Sequence, residues 1–164
     1  MKIVYTYPPN YEDIAQAFNI TNNKGVIFTY GDTLYVPGGQ RISIDKPLMK
    51  HEETHARQQK AMGVETWWGR FLADPEFRLS QELEAYREQY KAMGSIPFHE
   101  RGGYLQHIAN DLGGEIYGNI MTPEEALMVI TEGITVGGTN MIRSSLKARK
   151  AKKKQRQNRK RGRK

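Results

Sequence analysis

Two histidines and a glutamate define the chemistry this chain could carry out. His51-Glu52-Glu53-Thr54-His55 has the pattern His-Glu-x-x-His. On an α-helix, four steps of about 100° bring the second histidine back to the face of the first, about 6 Å further along the axis. Two imidazoles in that position can share one Zn²⁺ at about 2.0–2.1 Å from each nitrogen. Glu52 would then stand beside the open coordination position. There it can take a proton from a metal-bound water whose pKa the ion lowers toward about 7.

This chemistry needs the pattern on a helix and a third ligand for the ion. Lys46–Met62 contains no glycine and no proline after Pro47. Asp45 is a good N-cap, Pro47 fits the first turn, and Gly63 is a natural stop. The spacing predicts a helix over 46–62. A hydrolytic zinc site takes three protein ligands and keeps one position open. The positions three and six residues after His55 hold Gln58 and Ala61, so no third histidine follows there. The alternative is a carboxylate from another helix. Asp74-Pro75 opens a second predicted helix, about Pro75–Met93, closed by Gly94. It carries Glu82 and Glu84, which point about 200° apart, so only one of them can face the ion. Ala85 lies three residues after Glu82, and its small side chain lets two helices approach, which favours Glu82. Glu84 stays open as the third ligand, and so does an ordinary solvated charged face.

His51-Glu52-x-x-His55, followed by a helix with Glu82-x-x-Ala85, resembles the gluzincin metallopeptidases. The segments HEETHARQQ, DPEFRLSQELEAYREQ and LGGEIYGNIMTPEEA are similar to short metallopeptidase-like proteins common in phages and prophages. The likeness covers roughly Leu34–Ile130. It implies a zincin-like fold, His51, His55 and Glu82 as zinc ligands, and Glu52 as general base. The sequence departs from the pattern at Tyr86, where the better-known families carry Asp or Asn. The bond that such a residue makes to a ligand histidine must come from elsewhere, and Glu84 is the candidate.

The other elements must position these residues. Lys2–Tyr7 alternates and is β-rich, and Pro8-Pro9 breaks it. Tyr11–Phe18 has apolar residues at helical spacing after Asn10, a candidate cap. Gly25–Tyr30 and Thr33–Pro37 read as strands joined by Gly31-Asp32, with Arg41–Ile44 as a further short strand. A strand beside the cleft could pair with an extended substrate. Trp67, Trp68 and Phe71 are expected to be core packing within a short connection. Ser95–Gly103 reads as a connection and Tyr104–Leu112 as a helix. Thr122-Pro123-Glu124-Glu125 is a capping box that opens a helix to about Thr131, with Ala126, Leu127, Val129 and Ile130 inward and Gly133 as its stop. Ile134–Asn140 is ambiguous. His107 and Tyr117 are candidate hydrogen-bond donors to an oxyanion, and His99 and Tyr104 share that candidacy. Each is also the kind of residue that merely packs or faces solvent.

Composition limits the function classes. The chain has 164 residues and no cysteine, which excludes disulfides and thiolate metal sites and leaves nitrogen and oxygen ligands. No run approaches the roughly 20 apolar residues of a membrane span, and Met1–Pro9 lacks a signal-peptide core. The net charge of +7 hides two regions. Lys147–Lys164 holds 12 of the 25 basic residues and no acid, leaving residues 1–146 with 13 basic against 18 acidic, a net of −5. The expected organisation is an α+β domain over 1–146, with a small N-terminal antiparallel sheet, and a disordered basic tail over 147–164. Such a tail binds nucleic acid nonspecifically through phosphates, and it has no aromatic residue to stack on bases. The expected function is zinc-dependent hydrolysis of peptide bonds in a peptide or protein substrate, in the cytoplasm and away from membranes. If the chain is phage-encoded, that cytoplasm is the bacterial host's, and packaging in the particle is also open. The rivals are a non-catalytic zincin-fold component of a phage particle and a nucleic-acid-binding protein acting through its tail.

Overall fold

The computed structural model describes residues 1–18, 26–37, 44–114, 117 and 119–131. Three short strands, β1 (Lys2–Val4), β2 (Phe28–Tyr30) and β3 (Thr33–Tyr35), form one sheet in the order β1-β3-β2. Helices α1 (Tyr11–Phe18), α2 (Lys46–Met62), α3 (Val64–Ala73), α4 (Pro75–Lys91), α5 (Arg101–Leu112) and α6 (Pro123–Thr131) make up the rest, with single 3₁₀ turns at Ala92–Ser95 and Phe98–Glu100. The fold is α+β and mainly helical.

The sheet is mixed, which corrects the antiparallel expectation. β2 and β3 form an antiparallel hairpin, but β1 runs parallel to β3, pairing Lys2 with Thr33 and Val4 with Tyr35. The alternating pattern of a strand is the same in either direction. What decides is the connection: after α1 the chain comes back as β2, which runs opposite to β1, and the hairpin turn reverses it once more, so that β3 runs parallel to β1. Gly31 turns the hairpin at φ +62°, a left-handed conformation that favours glycine. Gln59, fully buried on α2, ties the hairpin down. Its amide oxygen accepts from Gly31 N at 2.8 Å, and its amide nitrogen donates to Thr29 O at 2.8 Å.

The helix bounds follow their caps. Asp45 Oδ1 accepts from Leu48 N at 2.8 Å and starts α2. Asp74 Oδ1 accepts from Glu76 N and Phe77 N and starts α4. Those two backbone N–H groups hold the Asp74 carboxyl below its usual range. Thr122 and Glu125 exchange both bonds of the capping box at the start of α6, where Ala126, Val129 and Ile130 are buried and Leu127 is half-buried. Asn10 stands at the N-cap position, its carbonyl accepting from Ile14 N, but its side-chain amide makes no capping bond. Gly63 ends α2 at φ +90° and its carbonyl already accepts from Trp67 N. Trp67, Trp68 and Phe71 therefore sit on a helix, α3, and not in a short connection.

Two apolar clusters support the centre. Ile14, Phe28, Trp67, Trp68, Phe71 and Phe77 form one, and Leu79, Leu83, Tyr86, Ile108, Leu112 and the inner face of α6 belong to the other. α4 contributes to both, Phe77 to the first and Leu79, Leu83 and Tyr86 to the second, while α2 packs along α4 and against α3 and β2, and Ala85 is fully buried on α4. Residues 41–43, Ile134–Asn140 and the tail from Lys147 lie outside the described residues, and Ile44 is not in a strand. Among the described residues no helix is long and apolar enough to cross a membrane.

Candidate metal centre

α2 presents His51 and His55 to α4, which presents Glu82. His51 Nε2 lies 3.4 Å from Glu82 Oε2, His55 Nε2 lies 3.6 Å from Glu82 Oε1, and the two Nε2 atoms are 3.0 Å apart. All three residues are buried, at 6 %, 6 % and 4 % exposure. Tetrahedral bonds of about 2.0–2.1 Å place neighbouring ligand atoms about 3.3 Å apart, so this triangle is the size one zinc ion requires. Among the described residues it is the one set of histidine and carboxylate ligands that converges in this way.

The proton positions follow from the partners. Gln58 Nε2 donates to Gln81 O and to Glu84 Oε2, which only accept. The Gln58 amide oxygen must then face His55 Nδ1, 2.9 Å away, and that nitrogen must be the donor. The same reasoning holds for His51. Tyr104 Oη gives its one proton to Asp45 Oδ1 at 3.1 Å, so it accepts from Gln89 Nε2 at 2.9 Å. Gln89 Oε1 accepts from His51 Nδ1 at 2.9 Å. With both Nδ1 atoms protonated in the neutral rings, both Nε2 atoms carry lone pairs aimed at one point. Glu82 Oε2 is buried there without a hydrogen-bond partner. The donor set therefore fits a divalent cation in its chemistry as well as its size.

The electrostatics agree. Burial opposes charge on Glu82, but the imidazoles of His55 and His51 hold its carboxyl far below the usual range. Burial likewise opposes charge on His55, but Glu82 and Glu52 raise it to about 9. Two carboxylates in a buried pocket make the centre favour positive charge.

Glu52 is buried beside the triangle, and Thr29 Oγ1 on β2 donates to its Oε2 at 2.7 Å. The hairpin that Gln59 secures thus positions the candidate base. A cleft of about 510 Å³ opens over the centre, lined by Phe28, Thr29, Trp67, Tyr104, His107 and Tyr117 among others. His55 leans on Trp67 at 5.5 Å between ring centres, and His51 meets Tyr86 edge-on at 4.5 Å.

The remaining candidates separate. Glu84 is half-exposed, pairs with Arg57 at 2.8 Å and reaches His55 only through Gln58. It is therefore neither at the triangle nor the direct partner of His51 or His55. His99 is exposed beside Glu100 and does not line the cleft. His107 stands at the cleft with its Nε2 3.5 Å from Asp111 Oδ2 and its side chain 74 % exposed. Tyr104 has both hydrogen bonds committed to the chain behind His51. Tyr117 lines the cleft, and burial followed by the nearby Glu82 carboxylate raises its hydroxyl well above the usual range, so it stays a donor. Gln58, Gln89 and Thr29 were not singled out by the sequence, although Gln58 lies seven residues after His51 and Gln89 seven after Glu82, two helical turns on the same face.

Comparison with protein-family models, with curated proteins and with solved structures finds no match.

Proposed function

We propose that the chain is a zinc-dependent metallopeptidase of gluzincin type, with the sheet, α2 and α4 as a zincin-like core. The observation that carries this reading is the buried triangle of His51 Nε2, His55 Nε2 and Glu82, with lone pairs converging and Glu52 alongside. His51, His55 and Glu82 would hold the ion. When bound, Zn²⁺ supplies Lewis-acid polarisation of a carbonyl and lowers the pKa of water. Glu52 takes a proton from the attacking water on Oε1 and passes it to the leaving amine, while Thr29 holds Oε2 in place. Tyr117 is assigned as the donor to the developing oxyanion, with His107 the weaker candidate because its ring is mostly in solvent.

Catalysis is favoured over a structural zinc site by the ligand count. Structural sites close with four protein ligands, whereas among the described residues no fourth histidine or carboxylate joins these three. The test combines metal content with cleavage of a mixed peptide library. Wild-type protein should carry about one zinc per chain and cut internal peptide bonds. Glu52→Gln should keep the zinc and lose about 10²–10⁴-fold in turnover, the usual scale for a general base. Full activity of Glu52→Gln would overturn the mechanism.

A further inference from the structure

The two ligand histidines are oriented by neutral amides, not by carboxylates. His55 Nδ1 donates to Gln58 and His51 Nδ1 donates to Gln89. Both glutamines are buried, at 9 % and 3 % exposure, and each has its other end fixed by groups that specify which way the amide points. Gln58 is held by Gln81 O and by Glu84, itself paired with Arg57 at the surface. Gln89 is held by Tyr104, which is held by Asp45, the N-cap of the helix that carries both histidines. Tyr86, at the position following Ala85, supplies only a ring edge to His51.

We infer that Gln58 and Gln89 are the positioning residues of the metal centre, each locking one imidazole with its Nε2 lone pair toward the ion. This rests on the zinc reading above. A carboxylate partner would draw the Nδ1 proton toward itself and make the ring a stronger donor to the metal. An amide fixes the same orientation without adding a negative charge to a pocket that already holds Glu52 and Glu82. It also leaves the ion less electron-rich, so the glutamines give up some affinity for stronger polarising power.

Zinc affinity of the full chain, measured by competition with a chromophoric chelator, tests the proposal together with proton NMR of the imidazole N–H groups in the zinc-loaded protein. Wild type should show two slowly exchanging imidazole N–H protons. Gln89→Leu should lose the His51 signal and keep that of His55, Gln58→Leu should do the reverse, and each should bind zinc ~10–100-fold more weakly. Gln89→Glu keeps an acceptor at Nδ1, and with the Tyr104 hydroxyl turning its proton from Asp45 to the new carboxylate it should keep both signals and bind zinc at least as tightly as wild type. Should a leucine variant not fold, Gln89→Glu alone decides. Weakening in Gln89→Glu, or affinities within twofold of wild type in both leucine variants, would overturn the positioning role. If wild-type protein binds no zinc, the metal reading itself falls and the positioning role falls with it.

Discussion

A histidine pair four residues apart is common enough on helices, and its meaning here comes from where the protons sit. Each imidazole gives its Nδ1 proton to an amide oxygen, so two lone pairs meet 3.0 Å apart in a buried pocket. Two neutral rings so placed would set lone pair against lone pair, and positive charge between them, a proton or a divalent cation, relieves this. Glu82 completes it with a carboxylate that the imidazoles keep ionised. Glu82→Ala should therefore lose most zinc while retaining the fold, because alanine removes the charge and needs no buried partner. Zinc content after gel filtration, read beside far-ultraviolet circular dichroism, checks both halves. Glu84→Ala is the control. Its carboxylate faces Arg57 and solvent, so zinc content should stay near wild type. If the two variants behaved alike, the assignment of the third ligand would be wrong.

Helices and hairpin divide the work of holding these atoms, and the sequence showed the helices more clearly than their partners. α2 was legible to the residue because Asp45, Pro47 and Gly63 punctuate it, and the start of α4 because Asp74-Pro75 opens it. That Glu82 and not Glu84 faces the two histidines was legible from Ala85, which is buried where α4 lies close to α2. α3 was hidden behind Gly63, although Val64, Trp67, Trp68, Phe71 and Leu72 have helical spacing, because a glycine that ends one helix also allows the next to begin at once. The direction of β1 and the Gln58 and Gln89 links were hidden for a different reason. The direction of β1 and the His51–Gln89 bond depend on which elements meet across long separations, and Gln58, though only three residues after His55, has its amide turned by Gln81 and Glu84 of α4; periodicity carries no such information. Asp45 shows how an element's end can bear on the centre, since one carboxylate caps α2 and anchors Tyr104 behind His51. Asp45→Ala should cost about 1 kcal/mol of stability, the usual loss for a helix cap. It should also weaken zinc binding, whereas Asp74→Ala, at the cap of α4, should lower stability and leave zinc affinity unchanged. Chemical denaturation beside chelator competition separates the two effects.

Over the whole molecule, the charge distribution and the proposed metal each make a prediction. Residues 1–146 carry a net −5, and the 12 cations of Lys147–Lys164 reverse the sign of the chain. Removing those 18 residues should abolish retention on DNA-cellulose at low salt and leave any peptidase activity intact, which separates the nucleic-acid reading from the enzymatic one. The metal bears on stability more directly. His51 and His55 of α2 and Glu82 of α4 meet at one point, so under the zinc reading an ion there would join the two helices that pack most closely, and α4 in turn contributes to both apolar clusters. The unfolded chain has no such convergence, so zinc binding adds to folding free energy by mass action. At free zinc 100-fold above its Kd the gain is about 2.7 kcal/mol. For a chain of this size each kcal/mol moves the midpoint by about 2–4 °C, so excess chelator should lower Tm by roughly 5–11 °C. Glu52→Gln should show the same drop, because Glu52 lies beside the triangle and is not one of its three ligands. Glu82→Ala should begin from the lower midpoint and barely respond to chelator. A chelator shift as large in Glu82→Ala as in wild type would place the stabilising ion somewhere other than between these helices.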